Sequence, residues 1–129
     1  SKSEFNYFEN NWFRGNTNGF WYEGKATDYS LGTTVINNQF ENYWTSIYLI
    51  NQTAPVVNNN IVTRSNPAAT NTFFPISLQG VDSTLTVMKN KVSTLNGGQY
   101  GIRIREAQLN PLTPGAIANN FAQIGQTGT

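Results

Sequence analysis

The chain has neither cysteine nor histidine among its 129 residues. Without cysteine it forms no disulfide and offers no thiolate to a metal; without histidine it lacks the commonest transition-metal ligand and the usual general base near neutral pH. Zinc chemistry and Ser/His/Asp or Cys/His catalysis within this chain are therefore excluded. Charge is scarce as well. Lys+Arg number 8 against Asp+Glu 7, and charged residues make up 12%, so no strong field gathers phosphates or anionic lipid and no nucleic-acid partner is expected. No apolar run approaches the roughly 18 residues that a membrane span requires, and the first residues lack the basic-then-apolar layout of a signal peptide. Membrane insertion is not expected.

What is present is Asn, Thr and Gly in abundance, with an aromatic fraction of 13%. That balance describes a turn-rich β protein with enough aromatic surface to argue against disorder. The length suits a single domain, 1–129. No segment repeats apolar residues at i, i+3, i+4 and i+7 over three turns, whereas short alternating runs bounded by Asn, Gly and Pro recur throughout.

These runs repeat. Phe8-Glu9-Asn10-Asn11-Trp12-Phe13 is echoed by Val35-Ile36-Asn37-Asn38-Gln39-Phe40, Val56-Val57-Asn58-Asn59-Asn60-Ile61, Val87-Met88-Lys89-Asn90-Lys91-Val92 and Ala116-Ile117-Ala118-Asn119-Asn120-Phe121. All read apolar, two residues, Asn, one residue, apolar. A second column interleaves with the first: Phe20-Trp21-Tyr22, Ile47-Tyr48-Leu49, Ile76-Ser77-Leu78 and Ile102-Arg103-Ile104. The Asn column advances by 27, 21, 31 and 29 residues and the strand column by 27, 29 and 26, spacings typical of a solenoid. The longest gap holds a polar insertion over residues 64–72, which a stacked coil tolerates because a loop leaves the stack without disturbing it.

This pattern resembles the right-handed parallel β-helix of the pectate-lyase-like superfamily, at the level of fold and over nearly the whole chain. The expected fold is all-β, a solenoid of about four to five coils. In that superfamily an Asn ladder occupies the tight turn between the second and third strands of each coil. The resemblance implies that Asn11, Asn38, Asn59, Asn90 and Asn119 form it. Coils stack about 4.8 Å apart, so equivalent amides can hydrogen-bond from coil to coil, and Asn tolerates left-handed turns. Phe13, Phe40, Ile61, Val92 and Phe121 are expected inward as one row, and Phe8, Val35, Val56, Val87 and Ala116 as another. Neither end shows a capping helix, so the ends read as uncapped and the chain as a segment of a longer rod, or as one whose ends meet flanking coils or other chains.

Alternation along the strand column sends Trp21, Tyr48, Ser77 and Arg103 outward if Phe20, Ile47, Ile76 and Ile102 point inward. Glu23, Ile50, Gln79 and Arg105 form the neighbouring outward row. Aromatics, a hydroxyl and guanidinium groups on one flank suit stacking on sugar rings and hydrogen bonding to their hydroxyls or carboxylates. In enzymes of the resembling superfamily this first-strand face holds the substrate. Trp44, in the connection Tyr43-Trp44-Thr45, borders the flank, as does the insertion at residues 64–72. Equally, Trp21 and Tyr48 can serve as a cross-coil aromatic pair that only stabilises the sheet.

Catalysis asks for more. Glycoside hydrolysis needs two carboxyl groups about 5 to 9.5 Å apart, and a lyase of this superfamily needs an acidic calcium-holding cluster with a basic residue nearby. Asp82 and Glu106 are the weak catalytic candidates, from adjacent coils but offset by about two positions. Arg103 and Arg105 beside Glu106 make an ion pair its simpler role. Asp28 reads as a turn residue that can add one oxygen to a metal site. Asn51-Gln52-Thr53 fits the glycosylation triplet, a pattern common in Asn- and Thr-rich chains.

The sequence thus favours a non-catalytic segment of a secreted or cell-surface protein, extracellular in setting. It would act as a rigid spacer or adhesin, with an aromatic flank for a polysaccharide or surface glycan and no cofactor or bound metal. The alternatives are a fragment of a polysaccharide lyase or glycoside hydrolase, and a structural component of a fibre or multiprotein assembly.

Overall fold

The computed structural model describes residues 4–15, 17–65, 74–94 and 100–125. The first coil runs through β1 (Tyr7–Glu9), β2 (Trp12–Arg14), β3 (Asn18–Glu23) and β4 (Ser30–Leu31). The second comprises β5 (Thr34–Ile36), β6 (Gln39–Glu41) and β7 (Thr45–Thr53), and the third β8 (Val56–Asn58), β9 (Ile61–Arg64) and β10 (Ile76–Ser83). The fourth is β11 (Leu85–Met88), β12 (Lys91–Thr94) and β13 (Ile102–Leu109); β14 (Gly115–Ala118) and β15 (Phe121–Ile124) begin a fifth. All ladders between these strands are parallel. Three sheets result: sheet A from β3, β7, β10 and β13 with β4 beside β7, sheet B from β1, β5, β8, β11 and β14, and sheet C from β2, β6, β9, β12 and β15. The fold is a parallel β-solenoid of about four turns, with no helix among the described residues.

Sheets B and C join through a turn of fixed form. Its first residue is left-handed in every coil: Asn10, Asn37, Asn59, Lys89 and Asn119, with φ between 55° and 58°. The residue after it carries the ladder. The main-chain N–H and Nδ2 of Asn11 both donate to Asn38 Oδ1, at 2.9 and 3.0 Å. Asn38 donates likewise to Asn60, Asn60 to Asn90 and Asn90 to Asn120. Each Nδ2 from Asn38 onward also donates back to a carbonyl of the preceding coil.

The ladder expected at Asn59 and Asn119 is therefore carried one residue later, by Asn60 and Asn120; Asn59 and Asn119 hold the left-handed position instead. The core rows shift with it. Val57 stacks between Val35 and Val87, and Val62 between Phe40 and Val92. Val56 and Ala116 fall in the outward row with Thr34 and Thr86. Ile61 and Phe121 also face outward, 43% and 54% exposed. A slip of one residue reverses every side chain of a strand, and these segments offered two registers. Val56 and Val57 are both apolar, as are Ile61 and Val62, and Asn occupies three consecutive positions between them. The register with the buried valines also buries Asn60, whose amide then meets partners above and below.

The core comprises Val35, Phe40, Ile47, Leu49, Val57, Val62, Ile76, Leu78, Val81, Leu85, Val87 and Val92. Phe13 stacks on Phe40 with ring centroids 4.8 Å apart. One buried polar group inside the rod is satisfied locally: Gln52 Oε1 accepts from Thr33 Oγ1 at 2.6 Å while its Nε2 donates to the Ile50 carbonyl. Such pairing is what allows an amide to sit at zero exposure.

Sheet A is kinked in mid-strand. Asn51, Gly80 and Glu106 take positive φ at equivalent places, while pairing continues on either side. A Cβ at Gly80 would come within 2.7 Å of Asn51 Oδ1, so glycine fits both the left-handed backbone and the close approach. The first coil departs from this plan. Glu23 pairs with Ile50 and Ser30 with Gln52, so residues 24–29 stand where Asn51 stands alone. They leave the sheet, turn with the Asp28 N–H donating to the Lys25 carbonyl at 3.0 Å, and return in register.

Candidate functional site

The outward row of sheet A pairs Trp21 with Tyr48, Tyr48 with Ser77 and Ser77 with Arg103. Trp21 is 51% exposed and its ring lies 4.9 Å from that of Tyr48, tilted by 59°. Ser77, expected on the surface of this flank, is only 5% exposed. The hydroxyl is thus sunk between larger neighbours rather than presented to a ligand.

A second aromatic group lies farther along the rod. Phe74 and Tyr100 each precede the first paired residue of their strand by two positions and stack across adjacent coils, centroids 5.7 Å apart and planes within 18°. The Arg103 guanidinium lies over the Phe74 ring at 4.3 Å. Neither aromatic was singled out by the repeat pattern. Counting back two residues from Ile76 and Ile102 is the signal that finds them.

Beside the Trp21 row, on the side away from Phe74 and Tyr100, lies the Glu23, Ile50, Gln79, Arg105 row. Gln79 organises it: its Oε1 accepts from Tyr48 Oη at 3.0 Å and from Arg105 Nη2 at 2.6 Å, and its Nε2 donates to both Glu106 oxygens at 3.2 and 3.3 Å. Arg105 and Glu106 are bridged by an amide rather than meeting in the direct ion pair expected. The bridge fixes Tyr48 as well, leaving its ring oriented beside Trp21.

Trp44 stands at the edge of this flank, its N–H bonded to the Thr17 carbonyl at 2.8 Å. Tyr43 turns away and packs edge-on against Phe40. Of the insertion, Arg64 closes β9 and is buried; burial lowers its guanidinium pKa. Ser65 bonds to Asn42, and residues 66–72 lie outside the described residues. Asn51 of the glycosylation triplet donates its Nδ2 to the Gly24 carbonyl and Gln52 is buried, so the triplet is a built-in part of the sheet.

The two carboxylates considered for catalysis do not meet in one cleft. Glu106 occupies the kink beside Gln79, whereas Asp82 lies beyond it, opposite Thr53 and Gln108, with its Oδ1 accepting the Ser83 N–H. Asp82 instead borders a surface cleft of about 350 Å³, shared with Thr27, Asp28, Tyr29, Thr53 and Gln108. Sequence reasoning placed Asp28 in a turn, where it is, but not in this cleft. The kink register that brings residues 24–29 over Thr53 and Asp82 carries no apolar signature.

A protein-family model described as "Periplasmic copper-binding protein (NosD)" matches residues 1–128. No curated protein and no solved structure matches the chain. The periplasmic description agrees at a coarse level with the envelope or extracellular setting expected from the sequence. Copper is another matter. Its protein sites draw on imidazole, thiolate and thioether donors, and this chain has no His, no Cys and a single Met. That residue, Met88, pairs with Asn58 and Ala118 on sheet B. Among the described residues no three His, Cys, Asp or Glu side chains are placed to hold a metal ion together, so the residues present do not fit a copper centre. The match nonetheless spans all the coils, its repeat architecture is the one observed, and the chain belongs to the NosD family.

Proposed function

We propose that these coils form a rigid, non-catalytic binding rod of the periplasm or cell surface, and that its sheet A flank takes up carbohydrate. The observation that carries this reading is the pair of aromatic groups on one flank, Trp21 with Tyr48 and Phe74 with Tyr100, with Arg103 over Phe74 and the polar row centred on Gln79 beside Tyr48. Sugars present an apolar C–H face and a rim of hydroxyls, and ring surfaces beside fixed hydrogen-bonding groups complement both. Coils stack about 4.8 Å apart, so the flank from the first coil to the fourth extends about 14 Å, long enough for an oligosaccharide rather than a single ring. Arg103 and Arg105 add donors for hydroxyl or carboxylate oxygens. The separation of Asp82 from Glu106 by the kink is what favours binding over hydrolysis at this flank.

The test is a glycan array followed by titration of the best ligand. Trp21→Ala is expected to weaken binding by about tenfold or more, as loss of an aromatic anchor does, with the circular dichroism spectrum unchanged. An array without hits, or a Trp21→Ala protein that binds as tightly as the parent, would overturn the proposal.

A further inference from the structure

The cleft beside Asp82 owes its existence to residues 24–29. Every other coil crosses the sheet A kink with one left-handed residue, and the first coil uses six between the same two pairing positions. Pairing resumes in register, so the excursion is not needed to build the sheet. Its effect is to raise a wall opposite the outward row of Thr53, Asp82 and Gln108. Tyr29 leans back over the kink, its hydroxyl 3.5 Å from where a Gly80 Cβ would stand.

The lining defines a ligand class. Asp28 and Asp82 contribute two carboxylates, which only accept hydrogen bonds when ionised; Thr27, Thr53 and Tyr29 contribute hydroxyls and Gln108 an amide. Among the described residues, no Lys or Arg lines the cleft. Such a surface asks its ligand for donors and repels an anion. A volume of about 350 Å³ lies at the small end of ligand pockets, about the size of one sugar ring. We propose that the cleft between residues 24–29 and the Thr53, Asp82, Gln108 row binds a single sugar ring free of acidic groups, neutral or aminated, as a site separate from the aromatic flank.

The experiment is an NMR titration of the protein with glucose, glucosamine and glucuronic acid, following the amides of Thr27, Thr53 and Gln108. Glucose and glucosamine are expected to give saturable shifts, with glucuronic acid weaker by about tenfold or more. Replacing residues 24–29 with a single Asn, the arrangement the second coil already uses, is expected to abolish the shifts. Should that protein fail to fold, Asp82→Asn serves, because its amide oxygen still accepts the Ser83 N–H; glucosamine binding is expected to fall about tenfold. Trp21→Ala is expected to leave all three titrations unchanged, so failure of the flank and failure of the cleft are told apart. Absence of saturable shifts with either sugar, glucuronic acid binding as tightly as glucose, or undiminished binding by a folded loop-replaced or Asp82→Asn protein would overturn the proposal.

Discussion

The turn between sheets B and C and the kink within sheet A solve one problem with opposite tolerance. Both redirect the backbone by placing one residue at positive φ, yet the first is the same two-residue unit in all five coils and the second is enlarged sixfold in the first coil. The difference lies in the residue just past the bend. In the B–C turn that side chain is Asn, buried at positions 38, 60 and 90 and bonded to the coils on both sides. Lengthening that turn would strand buried amides. At the kink the outer side is open to solvent, and a loop leaves and returns without depriving any interior group of its partner. A buried polar column enforces uniformity, whereas an open face admits the insertions from which a site is made.

Three variants sharpen that contrast. Asn60→Ala should have the largest effect, since it removes the acceptor of two Asn38 donors and the donor to the Val35 carbonyl. Unsatisfied buried groups cost about 1–3 kcal/mol each, so a loss of about 3 kcal/mol or more is expected in denaturant unfolding. A loss under about 1 kcal/mol would show that the ladder does not set the uniformity. Replacing residues 24–29 with one Asn should change stability by no more than about 1 kcal/mol, because loop-closure entropy varies slowly with length; a large drop would mean the excursion supports the sheet. Smallest is Lys89→Asn, which places the residue found in the other four coils at the left-handed position. A gain of roughly 0.5 kcal/mol is expected from relief at positive φ, measured as a small rise in the unfolding midpoint.

The same contrast governs what could be read from the sequence. Parallel coils and the sheet A register, with Phe20, Ile47, Ile76 and Ile102 in one column, were legible because an apolar residue on each side of one outward position marks a strand unambiguously. The B–C turn was legible in kind but placed one residue early in two coils, where Asn59 precedes Asn60 and Asn119 precedes Asn120. Composition could not choose between them; burial of the neighbouring strand residue did, with Val62 and Ala122 taking the inward row over Ile61 and Phe121. Of the flank, Trp21 and Tyr48 followed from alternation. Phe74 and Tyr100 did not, since they precede their strands, and the hiding of Ser77 depends on the size of its neighbours. The cleft lay beyond reach because Thr27, Asp28 and Asp82 are distant in sequence and meet through a register that polar residues leave unmarked.

The Asn column also has an orientation. Within it each amide donates to the amide of the next coil and accepts from that of the one before, so the bond dipoles along the rod point one way and add. In a poorly polarisable interior each link strengthens its neighbours, which makes the column behave as a one-dimensional array with nearest-neighbour coupling. A coil inserted upside down would present donor to donor, whereas a coil added in the same sense meets an acceptor already aligned for it; the rod therefore distinguishes its two directions at every level, even though its coils look alike.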